Sequence, residues 1–302
     1  MRYVPVFLAL LAVGVVSCDD IQEPTQPLSH PNPQLPLFQQ ADTTFAVRRA
    51  DRLKVNQLEG QVSITAWDRD EMRVVADYDE DEGHLDIRQS GSTVHVSAKD
   101  ERGKPVYAEF EIAVPRGMAL EITGVSLEVA VEGSAGDVSV STAEGNILLA
   151  GGSGNVTLNT GKGAVYVANA SGNIKLETTE GDVSVANSSG VLAVSAEDGA
   201  ALLDGIESDY VAVNVTEGEI SYYGTIADGG RYMLSTDDGD LYMRVPVGTN
   251  AQFSVTLPDG LFEVDFPVTI EGDETQFYFT LGTGTALVEL SSFDGDVRLT
   301  QP

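Results

Sequence analysis

Residues 136–190 read GDVSVSTAEGNILLAGGSGNVTLNTGKGAVYVANASGNIKLETTEGDVSVANSSG. A glycine opens every ninth residue: Gly136, Gly145, Gly154, Gly163, Gly172, Gly181 and Gly190, with Gly199 next in step. With that glycine as position one, position three is Val138, Ile147, Val156, Val165, Ile174, Val183, Leu192 and Ala201. Position five is Val140, Leu149, Leu158, Val167, Leu176, Val185, Val194 and Leu203. Positions three and five lie on one side of a strand. Each unit is therefore a short strand with an apolar face, closed by a turn of Gly, Asn, Thr and Ser. One such unit cannot bury its own face, so neighbours must stack.

Two stackings are possible: an antiparallel meander, or a flattened solenoid in which each coil takes two units. The outward positions favour the solenoid, because their chemistry repeats every eighteen residues and not every nine. Position four alternates between Ser139, Thr157, Lys175, Ala193 and Leu148, Tyr166, Ser184, Leu202. Position six alternates between Ser141, Asn159, Glu177, Ser195 and Ala150, Ala168, Ala186, Asp204. Asp137, Asn155 and Asn173 occupy position two of the first set. The pattern predicts an all-β, single-chain parallel β-solenoid with two nine-residue units per coil. One wall is polar and the other more apolar. Val138, Val156 and Ile174 stack on one, and Ile147, Val165 and Val183 on the other.

The flanks read as strands too. GQVSITAW (60–67) places Val62, Ile64 and Ala66 on one face, and AEFEIAVP (108–115) does so with Ala108, Phe110, Ile112 and Val114. Period-two alternation between turn residues is the β signal. The glycine period loosens after Gly199, and LFEVDF, QFYFTLG, ALVEL and GDVRLT finish the chain as strands. These readings divide the chain into an N-terminal β capping region (43–126), a Gly-Asp-Val repeat solenoid (127–248) and a C-terminal β capping region (249–302). Caps are expected because an open stack leaves edges that invite aggregation.

Ahead of them, MRYVPVFLALLAVGVVSC (1–18) has Arg2, an apolar run from Val4 to Val16, and small residues before Cys18. The run is short for a membrane span and suits a signal peptide. VVSC resembles the bacterial lipobox, and Cys18 is the only cysteine. The resemblance implies removal of residues 1–17 and acylation of Cys18, which gives a firm anchor through two or three chains. Residues 18–42 carry Pro24, Pro27, Pro31, Pro33 and Pro36 and read as a stiff, extended tether.

Composition limits the function. The chain has 47 acidic and 17 basic residues, a formal net charge of -30. Nucleic acid demands a basic footprint, so it is excluded as a partner. The RTX β-roll also uses glycine nonapeptides, but its ligand aspartate is replaced here by Val156, and by Ile147, Val165 and Ile174 in the neighbouring units. An apolar residue offers calcium no oxygen. The acidic turns at 77–84, 235–240 and 293–296 read as solvated hairpin chemistry. His30, His84 and His95 are not paired by spacing, so no metal site is expected. There is no G-x-S-x-G elbow, and GGSG (151–154) and GTGT (282–285) precede no helix, which leaves no phosphate cradle. Neither catalytic residues nor a cofactor are expected.

Five stretches, in order, resemble a bacterial family known as the "putative adhesin" β-strand-repeat family, domain of unknown function 4097. LKVNQLEGQVSITAWD (53–68) resembles its opening strand pair and AEFEIAVPRGMALEITG (108–124) its step into the repeats. GDVSVSTAEGNILLAGGSGNV (136–156) resembles its Gly-Asp-Val units, and GDLYMRVPVGTNAQFSV (239–255) and FDGDVRLT (293–300) its closing section. The resemblance spans about residues 45–300 and implies an all-β envelope protein, often lipid-anchored, with no assigned activity.

The expectation is a non-enzymatic, lipid-anchored lipoprotein of the bacterial cell envelope. It would present a repetitive β surface for adhesion, or for binding a partner protein or a surface glycan. The candidate face is the less polar wall, with Leu148, Tyr166 and Leu202 in line. The alternatives are a periplasmic partner-binding component of an envelope-stress system and a β-helix enzyme acting on polysaccharide through paired carboxylates.

Overall fold

The computed structural model describes residues 38–49, 51–79 and 83–302. The expected signal peptide, Cys18 and most of the tether lie outside them; residues 38–42 belong to the strand Phe38–Ala46. The described residues form strands with no helix among them.

The repeats form two parallel walls. On the first, Val138 stands in register with Val156, and Val156 with Ile174. On the second, Ile147 stands beside Val165, and Val165 beside Val183. Adjacent strands are therefore eighteen residues apart, and the chain crosses from wall to wall every nine. The strands Val165–Glu180 and Ala201–Glu217 run through both walls without a break. Positions three and five from both walls meet in one continuous core, where Leu149, Leu158, Val165, Leu176 and Val185 are wholly buried. At about 25 cal/mol per Å2 this apolar burial is the main stabilising term.

The corner glycines are a steric requirement. Gly181 has φ 145°, outside the range L-residues readily adopt. A β-carbon there would lie 2.6 Å from the Gly163 carbonyl carbon in the coil beneath. The coils touch backbone to backbone at this corner, so the glycines recur with the coil.

Polar side chains tie one coil to the next. On the first wall Asp137 Oδ1 accepts from the Asn155 amide nitrogen at 2.9 Å and from its Nδ2 at 3.0 Å. Asn173 Nδ2 donates in turn to Asn155 Oδ1 at 2.9 Å. A second column is buried. Thr160 donates to the Gly145 carbonyl (2.9 Å), Thr178 to Gly163 (3.1 Å), Thr236 to Gly218 (3.0 Å) and Ser292 to Gly239 (2.9 Å). Each hydroxyl satisfies a corner carbonyl that would otherwise be left unpaired in the interior.

Parallel stacking continues into both flanks, but not in chain order. The strands Arg52–Asn56 and Glu59–Trp67 lie between the coil of 119–134 and the strands Thr93–Lys99 and Ala108–Pro115. At the other end Ala286–Asp294 and Val297–Thr300 lie between the coil of 231–244 and the strands Ala251–Thr256 and Phe262–Val264. Antiparallel strands then close the stack: Glu71–Asp79, Phe38–Ala46 and His84–Ser90 at one end, Gln276–Leu281 and Glu271–Gly272 at the other. They cover the edges of the parallel stack with antiparallel strands.

Where the period loosens, aromatic residues fill the larger coil. Tyr222 and Tyr232 are buried edge to face, 6.0 Å between ring centres. Tyr232 donates to the Ser208 carbonyl at 2.6 Å, and Tyr222 to that of Thr225 at 2.8 Å. Burial pushes the Tyr222 phenol far above its ordinary pKa.

Candidate functional site

The second wall carries the residues singled out in the sequence. Leu148 is in register with Tyr166, Tyr166 with Ser184, and Ser184 with Leu202. The next column is Ala150, Ala168, Ala186 and Asp204. Position four points out of the strand, so these side chains stand away from the core at strand intervals of about 4.8 Å. Leu148, Tyr166 and Leu202 are 46%, 45% and 42% exposed, so no strand among the described residues covers them. Small alanines in the neighbouring column leave the larger side chains proud of the wall.

Carboxylates border this stripe. Glu128 and Asp182 lie in the position-two column, Glu132 and Asp204 in the position-six column. Glu128 Oε2 accepts from the Asn146 amide (3.1 Å) and Asp182 Oδ1 from the Ala200 amide (2.9 Å). These acids therefore also hold the coils in register. Towards the C-terminal end the wall becomes aromatic and cationic. The Arg244 guanidinium lies 4.8 Å from the centre of the Tyr223 ring, and Tyr242 donates to Asp240 at 3.1 Å.

His84 pairs across its hairpin with Lys99, and His95 with Arg88, so the two imidazoles are not brought together. Lys54 stands on the other side of His95. Among the described residues no three His, Cys, Asp or Glu side chains group as a metal centre. Val156, which occupies the ligand position of an RTX repeat, lies in the core. His30 and Cys18 lie outside the described residues.

Two surfaces were missed by the periodic reading. One is a column of acids at the turns: Glu180, Asp198, Glu217, Asp238 and Asp294 are in successive register. At its start Lys162 lies between Glu144 and Glu180 and bonds Glu180 at 2.9 Å, which raises the lysine pKa. The other is on the first wall, which does not stay polar. Val191 pairs with Tyr210, nineteen residues on, and Ala193 with Ala212 and then Met233. A shift of register after Ser189 and the added residue in this coil put Tyr210 where a nine-residue count does not look.

Among described residues no helix is long and apolar enough to cross a membrane. No curated protein matches the chain. The chain is similar to a solved structure of a "putative adhesin" from Parabacteroides distasonis, with 11% identity over 88% of this chain and 98% of that one, TM-score 0.49. Another from Bacteroides fragilis shares 11% identity over 87% and 98%, TM-score 0.40. A "putative lipid binding protein" from P. distasonis shares 12% over 87% and 96%, TM-score 0.37. The Toastrack DUF4097 profile matches residues 50–300 and takes in every parallel coil described above. With well over half of its length matched, the chain belongs to the Toastrack family, DUF4097.

Proposed function

We propose that this protein is a non-catalytic lipoprotein of the bacterial cell envelope that works by presenting a surface. Cys18 carries the lipid, residues 18–37 link it to the folded part, whose first strand begins at Phe38, and the second wall meets an adhesion target or partner protein. The observation that carries this reading is the exposed stripe of Leu148, Tyr166 and Leu202 on a coil-stacked wall. Aromatic and aliphatic side chains held out in a row have a cost in water that partner contact relieves, and aromatic anchors dominate binding energies. The backbone beneath is fixed on both sides by parallel pairing, so little ordering is needed on contact.

The anchor and the face are tested separately. Cys18→Ser should shift the protein from the membrane fraction to an unprocessed or soluble form; unchanged partitioning contradicts the anchor. A photo-crosslinking residue at position 166 should give a discrete adduct in intact cells, and one at Thr157 on the opposite wall should not. Equal adducts at both positions, or none at 166, contradict the face.

A further inference from the structure

The first wall ends in a cleft that the second-wall stripe does not involve. Its volume is about 530 Å3, within the range of small-molecule sites. Two rows of outward side chains form its floor. Leu287, Gln252 and Thr280 are in register across three strands, and Glu289, Ser254, Tyr278 and Glu271 across four. Three strand spacings separate Glu289 from Glu271, about 14 Å. Thr269 completes the rim.

The floor is rigid. Phe253 and Phe279 are buried beneath it, stacked with ring centres 4.5 Å apart. Tyr278 donates its hydroxyl to Gln276 Oε1 at 2.8 Å, which fixes the ring and leaves its face as the group on offer. Gln252 Nε2 donates to the Gly284 carbonyl at 3.0 Å, so its oxygen faces outward as an acceptor. Arg231 Nη2 donates to Glu289 Oε2 at 3.3 Å and holds that carboxylate in place, with further N–H donors beside it.

From this arrangement we infer that the cleft binds a neutral saccharide. The lining sets acceptors and hydroxyls within a short span around one half-exposed aromatic ring and Leu287, and the Arg231 guanidinium borders it beside Leu287 and Glu289. A pyranose has the matching chemistry: hydroxyls that both donate and accept around its edge, and a face of C–H bonds that lies on the electron-rich ring. Charge selects among sugars. The pairing of Arg231 with Glu289 leaves Glu271 as the unbalanced charge at the cleft, and the whole chain carries -30, so carboxylated and phosphorylated glycans are repelled. The length of the floor suits a short oligosaccharide lying across the strands.

The test is titration of the purified protein with chitotetraose and cellotetraose, followed by calorimetry and by NMR of side chains in the cleft, with tetragalacturonate as the anionic control. At least one neutral probe should bind and shift the Tyr278 and Leu287 signals, and the anionic probe should not. Tyr278→Ala and Glu289→Gln should each lower the affinity at least tenfold with unchanged melting. Tyr166→Ala, on the other wall, should leave it unaltered, so failure here is distinct from failure of the second-wall reading. No response to either neutral probe at 10 mM, equal binding of tetragalacturonate, or undiminished binding by Tyr278→Ala would overturn the inference.

Discussion

Replacing Val215 by threonine should stabilise the protein. Val215 occupies the buried column of Thr142, Thr160, Thr178, Ala196, Val215, Thr236 and Ser292, in successive register. Thr236, one coil on, reaches the Gly218 carbonyl at 3.0 Å, and the equivalent acceptor for position 215 is the Gly199 carbonyl. Valine and threonine have the same shape, so the exchange opens no cavity. What changes is a methyl for a hydroxyl, whose burial costs about 1–3 kcal/mol if left unmet. Met by a carbonyl, it contributes a net 0.5–1.5 kcal/mol or so. The expected gain is about 1 kcal/mol, seen as a higher urea midpoint with an unchanged m-value and a melting temperature higher by roughly 2–4 °C. Thr178→Val should lose a similar amount, since it abandons the Gly163 carbonyl. If Val215→Thr instead destabilises by about 1 kcal/mol or more, the Gly199 oxygen is out of reach and the column is not the repeated bond described here.

Three further outcomes follow from the same geometry. Gly181→Ala should cost at least about 2 kcal/mol in equilibrium unfolding, because the residue gains both left-handed strain and a clash with the coil beneath; a cost near zero would deny the backbone contact. Glu121 accepts from Lys54 at 2.6 Å, and that bond, outweighing partial burial and aided by the charges of Lys54 and Arg52, holds its carboxyl below the ordinary value of 4.5. Its contribution is therefore present above pH 4.5 and lost as the pH falls through the lower folded value, so Glu121→Gln should reduce stability at neutral pH with the gap closing in acid; a pH-independent gap contradicts this. Asp198→Lys places a cation between Glu180 and Glu217 and should raise the melting temperature at low salt, with the gain fading by 1 M NaCl, where the Debye length is about 3 Å.

The repeats were legible because position and chemistry recur together. A glycine every nine residues, apolar residues at positions three and five, and outward chemistry that alternates every eighteen suffice to put Val156 beside Val138 and Tyr166 beside Leu148. The placing of residues 52–67 and 286–300 inside the terminal coils was not legible. A strand's own pattern says that it needs a neighbour, and nothing in it says which. The hydroxyl column was hidden for another reason: Thr160 and Thr178 read as ordinary corner residues until their acceptors, fifteen residues back, are brought above them. The cleft around Tyr278 needs four strands brought side by side, and no local motif announces it.

The most direct test of the surface-presenting role is Tyr166→Ala, assayed together for melting and for attachment of cells or the anchored protein to their target. The side chain is half exposed and its ring contributes to no core layer. Melting should be unchanged and attachment lost. A marked drop in melting temperature with attachment intact would mean that the ring serves the fold alone, and would contradict the assignment of the second wall as the working face.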